Sequence, residues 1–249
     1  MWENAQTMAA LADWIAAAAM IALAYAGVLA VLRLPIAPLR SLVVTSGLRH
    51  VTAEQIEYAA RTSLAGNFFS VRMDRLRAAF EKLPWVRHVE LRRRWPGGIE
   101  VEIEEHVAAA VWNPGLDSAR LVNEHGEVFS AAVPGAPLPL LSGPEGSAPE
   151  LLRRQREFAA ILAPLARSPR SVTLSARAAW QLRLDDGVVI ELGRDQPGTP
   201  VGERLRRFVA HYREAAARLP APIAAADLRY PAGFAVRTAA HGTQTKADR

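Results

Sequence analysis

The sequence predicts an α+β protein carried on a single N-terminal transmembrane helix, with a β-α-α-β-β unit followed by a mostly antiparallel β region interrupted by helices. Three observations lead there. Trp14 to Leu32, "WIAAAAMIALAYAGVLAVL", contains no charged residue, and at about 1.5 Å per helical residue it nearly matches a hydrocarbon core of about 30 Å. Trp85–Arg93 and Ile99–Glu105 alternate apolar and polar residues around Pro96, Gly97 and Gly98, which is the period-two pattern of a half-buried hairpin. Beyond them, further hairpin signals are mixed with two stretches of helical spacing.

The elements follow in order. Ala24-Tyr25-Ala26 would suit a signal-peptide cleavage site, yet no Lys or Arg precedes the apolar run, so an uncleaved anchor over 13–33 is expected in preference to a signal peptide or a core helix. Residues 1–12 form a short N-terminus. Arg33 and Arg40 follow the span while none of residues 1–13 is basic. The positive-inside rule alone would keep the C-terminal side in the cytoplasm, but long globular regions cross largely regardless of charge. Charge does not decide the orientation.

The unit over 34–106 opens with a "RLPIAPLR" linker and a strand, Ser41–Ser46. Thr52 with Gln55 three residues on is a capping-box pattern, and Ile56, Ala59, Ala60 and Leu64 keep helical spacing behind it. Gly66 and Asn67 are expected to cap that helix C-terminally. A second helix carries Met73, Leu76, Phe80 and Leu83 on one face and stops at Pro84. In the hairpin, Val89 and Leu91 face inward with Ile99, Val101 and Ile103. His88, Glu90, Arg92 and Glu100, Glu102, Glu104 face outward, which predicts acid–base pairs across the strands.

Residues 107–238 form the β region. "RLVNEHGEVFS" reads as a hairpin turning at Asn123–Gly126, and "QLRLDDGVVIELG" as another turning at Asp185-Asp186-Gly187. Pro134 to Pro149 is expected to be loop. Leu151–Leu165 and Val201–Leu219 are helices, the first with Leu151, Phe158, Ile161, Leu162 and Leu165 inward, the second with Leu205, Phe208, Val209 and Tyr212. "ADLRY" and "FAVRT" are the last strands, joined by Pro231-Ala232-Gly233. Residues 239–249 are expected to be a disordered polar tail.

Composition narrows the function classes. Half of the residues are hydrophobic, 30 basic residues face 25 acidic ones, and there is no cysteine. That excludes thiol chemistry, thiolate metal sites and disulfides, and the mild basic excess does not resemble a nucleic-acid groove. No G-x-S-x-G, H-E-x-x-H or glycine-rich phosphate loop is present. The histidines at 50, 88, 106, 125, 211 and 241 lack ligand spacing. "RRR" at 92–94 could touch nucleic acid or anionic lipid but reads in preference as a strand end answering the glutamates opposite, and Asp185-Asp186 as a turn rather than a calcium loop. No catalytic residue, cofactor or metal is expected.

The order strand, helix, helix, strand, strand behind one anchor resembles a POTRA domain. The phrases "LAGNFFSV", "LPWVRHVELRRRWP", "VEIEEH", "RLVNEHGEVF", "VTLSARAAWQLRLDDGVVIELGR" and "AADLRYPAGFAVR", in this order from the anchor to about Thr238, resemble the bacterial cell-division family FtsQ/DivIB. The resemblance implies a divisome scaffold that is single-pass in the bacterial inner membrane, with a cytoplasmic N-terminus and most of the chain in the periplasm at the division septum. It implies FtsB-like and FtsL-like single-span partners, through them the septal peptidoglycan synthase complex, and room for self-association. It implies partner contacts at Arg229, Tyr230, Gly233, Phe234, Ala235, Val236 and Arg237, with Arg177 in "SARAAW" a weaker carry-over. On Gly233 a side chain is expected to crowd the turn or the partner backbone. The alternative is a POTRA-containing component of an envelope transport or assembly machine. It would need a run of barrel strands that 107–237 is too short and too helical to supply. An anchored enzyme is a third class, with no residue to carry its chemistry.

Overall fold

A computed structural model describes residues 5–33, 39–64, 67–115, 119–230 and 233–239, with side chains described from residue 8 and not at 31–33. Two compact units divide between Glu105 and His106. The expected linker at 34–38, Gly66, the Pro231-Ala232 part of the last turn and the tail from residue 240 lie outside the described residues.

In the first unit, α1 (Ala5–Arg33) contains a segment, Met8–Ala30, long and apolar enough to cross a membrane. None of that segment is buried within the protein, and Trp14, Ile21 and Leu23 lie at least 70% exposed, so it is not a core helix. Strand β1 (Ser41–Val44), helices α2 (Ala53–Ser63) and α3 (Met73–Phe80), and strands β2 (Val86–Arg94) and β3 (Gly98–Glu105) complete the β-α-α-β-β order. The three strands pair as β1-β3-β2, with β1 parallel and β2 antiparallel to β3.

Each helix buries the face its spacing predicts. Thr52 Oγ1 accepts from Gln55 N while Gln55 Oε1 accepts from Thr52 N, closing the capping box. Ile56, Ala59, Ala60, Leu76 and Phe80 then meet Val89, Ile99, Val101 and Ile103 in one core. The C-cap expectation is corrected: α2 ends in an extended residue, Leu64, and Asn67 instead organises the following turn. Its buried Oδ1 accepts from Phe69 N, Ser70 N and Ser70 Oγ, the local side-chain bonding by which Asn stabilises turns. Helix α3 also stops at Phe80, before Pro84, and Leu83 packs on the core from the turn that follows.

The hairpin keeps the expected alternation on β3, where Ile99, Val101 and Ile103 are at most 3% exposed. On β2 a bulge between Val86 and His88 breaks the parity, and this is why Val86 is buried along with Val89. Cross-strand pairing on the outer face is only partly as expected. Arg87 meets Glu104 at 2.6 Å, but Arg92 turns to Glu90 on its own strand, at 3.1 Å, rather than to Glu100 opposite. The turn itself is Trp95–Gly97, with Gly97 at φ 99°, where glycine carries no Cβ penalty.

Glu105 ties the end of β3 to the loop that leads into α2. Its carboxylate accepts from Arg49 N, His50 N and Val51 N at 2.7 to 3.0 Å and lies 3.5 Å from His50 Nδ1. Burial alone would raise its pKa, but the three backbone donors and the imidazole outweigh burial and hold the carboxyl below its ordinary 4.5. A group with a depressed folded-state pKa contributes stability above its unfolded pKa and loses it as pH falls through the folded value. Glu105→Gln is therefore expected to lose about 1 kcal/mol at neutral pH. Its acid-unfolding limb below pH 4.5 should be flatter than that of the wild type, as followed by circular dichroism.

The second unit is a nine-stranded sheet in the order β12-β11-β10-β9-β8-β7-β4-β5-β6. Its strands are β4 (Ala108–Trp112), β5 (Arg120–Asn123), β6 (Val128–Ser130), β7 (Leu140–Ser142), β8 (Pro169–Leu174), β9 (Ala179–Leu184), β10 (Val189–Arg194), β11 (Ile223–Asp227) and β12 (Ala235–Thr238). Most neighbouring pairs are antiparallel; β4–β7, β7–β8 and β10–β11 are parallel. Helices α4 (Ala148–Leu162) and α5 (Val201–Ala217) pack on one another and on one face, where Leu151, Phe158, Leu205 and Phe208 meet Trp112, Leu182 and Ile190 in the main core.

Both predicted hairpins form, with Gly126 at φ 87° and Gly187 at φ 90° in their turns. Two expectations are corrected. The loop at Pro134–Pro149 hides β7, whose Leu141 is fully buried, and α4 already begins at Ala148. Three residues beside prolines are too few to show a period. The strand read as "ADLRY" lies further back, at Ile223–Asp227, so that Arg229 and Tyr230 follow it rather than belong to it.

Arg204 on α5 is 5% exposed and forms no ion pair among the described residues. Its Nη1 donates to the carbonyls of Leu192 and Arg194 at 2.6 and 3.1 Å, and Nη2 to Thr199 Oγ1 at 2.9 Å. It thereby satisfies the carbonyls flanking a bulge at Gly193, where the β9–β10 register shifts. Buried polar groups of this kind are costly when unpaired.

Candidate partner-binding edge

Strand β12 closes one end of the large sheet. It runs antiparallel to β11, pairing Ala225 with Arg237, Ala226 with Val236 and Asp227 with Ala235. Its other side faces no strand among the described residues. Val236 packs on the helix-covered core, whereas Ala235 and Arg237 are exposed on the opposite face. A strand in this position offers unpaired N–H and C=O groups to another extended chain.

Of the described residues that follow β11 and precede β12, Leu228, Arg229 and Phe234 are held in place. Leu228 N donates to Glu191 O at 2.8 Å, continuing the contact with β10. Arg229 then folds back on Asp227, its Nε on Oδ1 at 2.8 Å and its Nη2 on Oδ2 at 2.5 Å, with Arg229 N also on Oδ1 at 3.1 Å. This two-pronged contact with Arg229 holds the Asp227 carboxyl below the usual range despite partial burial, and raises Arg229 in turn. Tyr230 beside it is 55% exposed. Phe234, by contrast, is half-buried: its ring meets Phe208 of α5 edge-on, 5.3 Å between centroids at 83°.

At Gly233 a Cβ would find nothing within 4 Å among the described residues, and its φ is not in the left-handed region, so turn strain does not call for glycine there. Arg177 sits on the exposed turn between β8 and β9. The register places that turn at the same end of the sheet as Arg229 and Phe234, because Ala179 pairs with Arg194, Glu191 with Asp227, and Asp227 with Ala235. Three strands, β9 to β11, nevertheless lie between β8 and β12.

On the open face, Glu191, Ala225, Asp227, Arg229, Ala235 and Arg237 line a groove of about 320 Å³. Its floor is alanine and its rim is charged. Sequence reading missed Glu191 and Asp227, which reveal themselves only once β10 and β11 are seen to be parallel neighbours. It also missed Gly193, at φ 73°, where a Cβ would come within 2.8 Å of Arg229 Cγ. Gly193→Ala is expected to cost about 1–2 kcal/mol of backbone strain and to push Arg229 off Asp227. Calorimetry and the carboxyl chemical shift of Asp227 would register the two effects separately. Among the described residues no group of acidic or histidine side chains is arranged to hold a metal ion.

Two family models match the chain: "POTRA domain, FtsQ-type" over residues 37–106, and "Cell division protein FtsQ/DivIB, C-terminal" over 110–229. Among curated relatives, Cell division protein FtsQ of Burkholderia pseudomallei is 38% identical over 251 aligned positions, covering 100% of this chain and 99% of the relative. That of Nitrosospira multiformis is 38% identical, covering 95% and 99%. That of Neisseria gonorrhoeae is 30% identical, covering 99% and 98%. The agreement spans the apolar helix, the three-stranded unit and the nine-stranded sheet alike, and the chain belongs to the FtsQ/DivIB family of cell-division proteins.

Proposed function

We propose that the protein acts in division without catalysis, as a scaffold anchored by α1 that links single-span FtsB-like and FtsL-like proteins, and through them the septal peptidoglycan synthase complex. The observation that carries this reading is the position of β12, a four-residue strand at the end of the sheet with its outer side unpaired among the described residues. An extended partner segment added there would gain backbone hydrogen bonds for affinity, while the groove beside Arg229 and the exposed ring of Tyr230 would select side chains. Partner contacts are assigned to Arg229, Tyr230, Ala235 and Arg237 directly. Phe234 and Val236 act by holding the strand on α5. Gly233 lies in the connection, and Arg177 at the same sheet end.

The test is site-specific photocrosslinking in dividing cells. A crosslinker in place of Arg237 should capture the FtsB-like protein, and one in place of Arg183, on β9 in the middle of the sheet, should not. Capture from Arg183 with none from Arg237 would move the interface off the edge. The reading also requires the bulk of the chain on the periplasmic side of the inner membrane, at the septum. A reporter fused after Arg249 is expected to be active in the periplasm and silent in the cytoplasm, and the reverse result would overturn both topology and scaffold role.

A further inference from the structure

The first unit has two ends of different character. At the far end, β3 finishes at Glu105 beside His50 and Trp85. At the near end, the chain arrives from α1: Arg40 N donates to Gly97 O at 2.8 Å, and Ser41 pairs with Gly98. This end carries the Trp95–Gly97 turn and the loop around Phe68–Val71, joined by Arg93, whose Nη2 donates to Val71 O at 2.9 Å and whose guanidinium lies over the Phe68 ring. Trp95 is 79% exposed and Phe69 56% exposed. Arg40, Arg72 and Arg94 are exposed around them and form no ion pair among the described residues. Exposed apolar side chains rimmed by polar ones are the composition by which membrane and protein contact sites are marked.

Tether length limits what can meet this end. Arg33 ends α1 and Arg40 is seven residues on, a distance of at most about 25 Å for a fully extended chain. If α1 crosses a bilayer, Arg40, which is hydrogen-bonded to the tip at Gly97, is never further than that from the end of the span. Tryptophan prefers the level of the lipid headgroups, and arginines near a membrane are drawn to anionic lipid. We propose that Trp95 and Phe69, flanked by Arg40, Arg72 and Arg94, rest in the headgroup layer of an anionic bilayer, the same bilayer that α1 crosses. The contact would set the first unit upright on the membrane with Glu105 pointing away from it. It rests on α1 being a membrane anchor, and goes beyond the partner edge proposed above.

The absence of native cysteine makes the test direct. Full-length Trp95→Cys and Phe69→Cys, each carrying a nitroxide, are reconstituted in vesicles of phosphatidylcholine with or without phosphatidylglycerol. Tyr58→Cys on α2, a position 72% exposed, is the control. Flotation of each protein with its vesicles first tests the anchor separately. The expected result is that labels at 95 and 69 lose most of their accessibility to a water-soluble paramagnetic reagent when phosphatidylglycerol is present. The label at 58 should keep its accessibility. Adding Arg40→Gln and Arg94→Gln should restore several-fold accessibility at 95. Labels at 95 and 69 as open to water as the label at 58, in protein that floats with either vesicle, would overturn the proposal and leave the tip to a protein partner.

Discussion

Val101→Asp is expected to unfold the first unit outright. Val101 is fully buried in the central strand, paired with Val44 on one side and Leu91 on the other. It sits in an apolar cluster with Ile99, Ile103, Leu76 and Phe80, and among the described residues no ion pair is formed by any side chain of that cluster to receive a carboxylate. An unpaired buried charge costs about 4 kcal/mol or more, which is close to the whole stability of a domain of this size. Amide exchange across β1 to β3 in the full-length protein should collapse to that of an unfolded chain. Glu102→Ala, one residue on, points to solvent opposite Glu90. Removing one of two facing like charges should change stability by about 0.5 kcal/mol or less. Equal loss of protection in the two variants would mean that the strand presents its other face to the core.

The second large effect is on partner binding, and it divides two aromatics that sequence reading treats alike. Tyr230 is mostly exposed beside the groove. Tyr230→Ala should weaken capture of the FtsB-like partner by about 30-fold, the equivalent of a hot-spot loss of about 2 kcal/mol, with an unchanged melting temperature. Phe234 instead seats β12 on Phe208 of α5. Phe234→Ala should weaken binding and stability together, the latter by about 2 kcal/mol for a half-buried ring. Titration calorimetry and melting of both variants separate the two modes. Full affinity in the double variant would remove the edge from the interface.

What the sequence reveals of this fold depends on how strongly local pattern and tertiary contact agree. The capping box at Thr52 and Gln55, the alternation from Ile99 to Ile103, and the Asp-Asp-Gly turn are each decided within a few residues, and each is legible. Strand β4 is not: "AAAVW" offers alanines where β-branched residues would mark a strand, and only its burial between β5 and β7 makes it one. Strand β7 is invisible for want of length. Strand β11 is misplaced because "IAAAD" is alanine-rich, while the bulkier "LRY" that follows attracts the assignment. At the edge, the residue types and their order were readable through the family resemblance. Which face Phe234 would choose was not, because that depends on where α5 places Phe208. The Arg229–Asp227 contact likewise needs the chain to fold back after β11.

The parallel joints of the large sheet impose an order of assembly. Two pieces, β4-β5-β6 and β8-β9-β10, can each close through neighbouring strands and short turns. The rest cannot: β7 must find β4 and β8 across long connections, and β11 can lie parallel to β10 only after α5 has crossed the sheet and docked. Such non-local closures come late because loop entropy must be overcome before any contact rewards it. Among the described residues strand β12 pairs with β11 alone, so it stands last in that dependency. The surface proposed for the partner would thus be a report on the rest of the unit. A molecule in which α5 has not seated, or in which the bulge at Gly193 and Arg204 has not closed, has no finished edge to offer, and recruitment would be confined to molecules that have completed their fold.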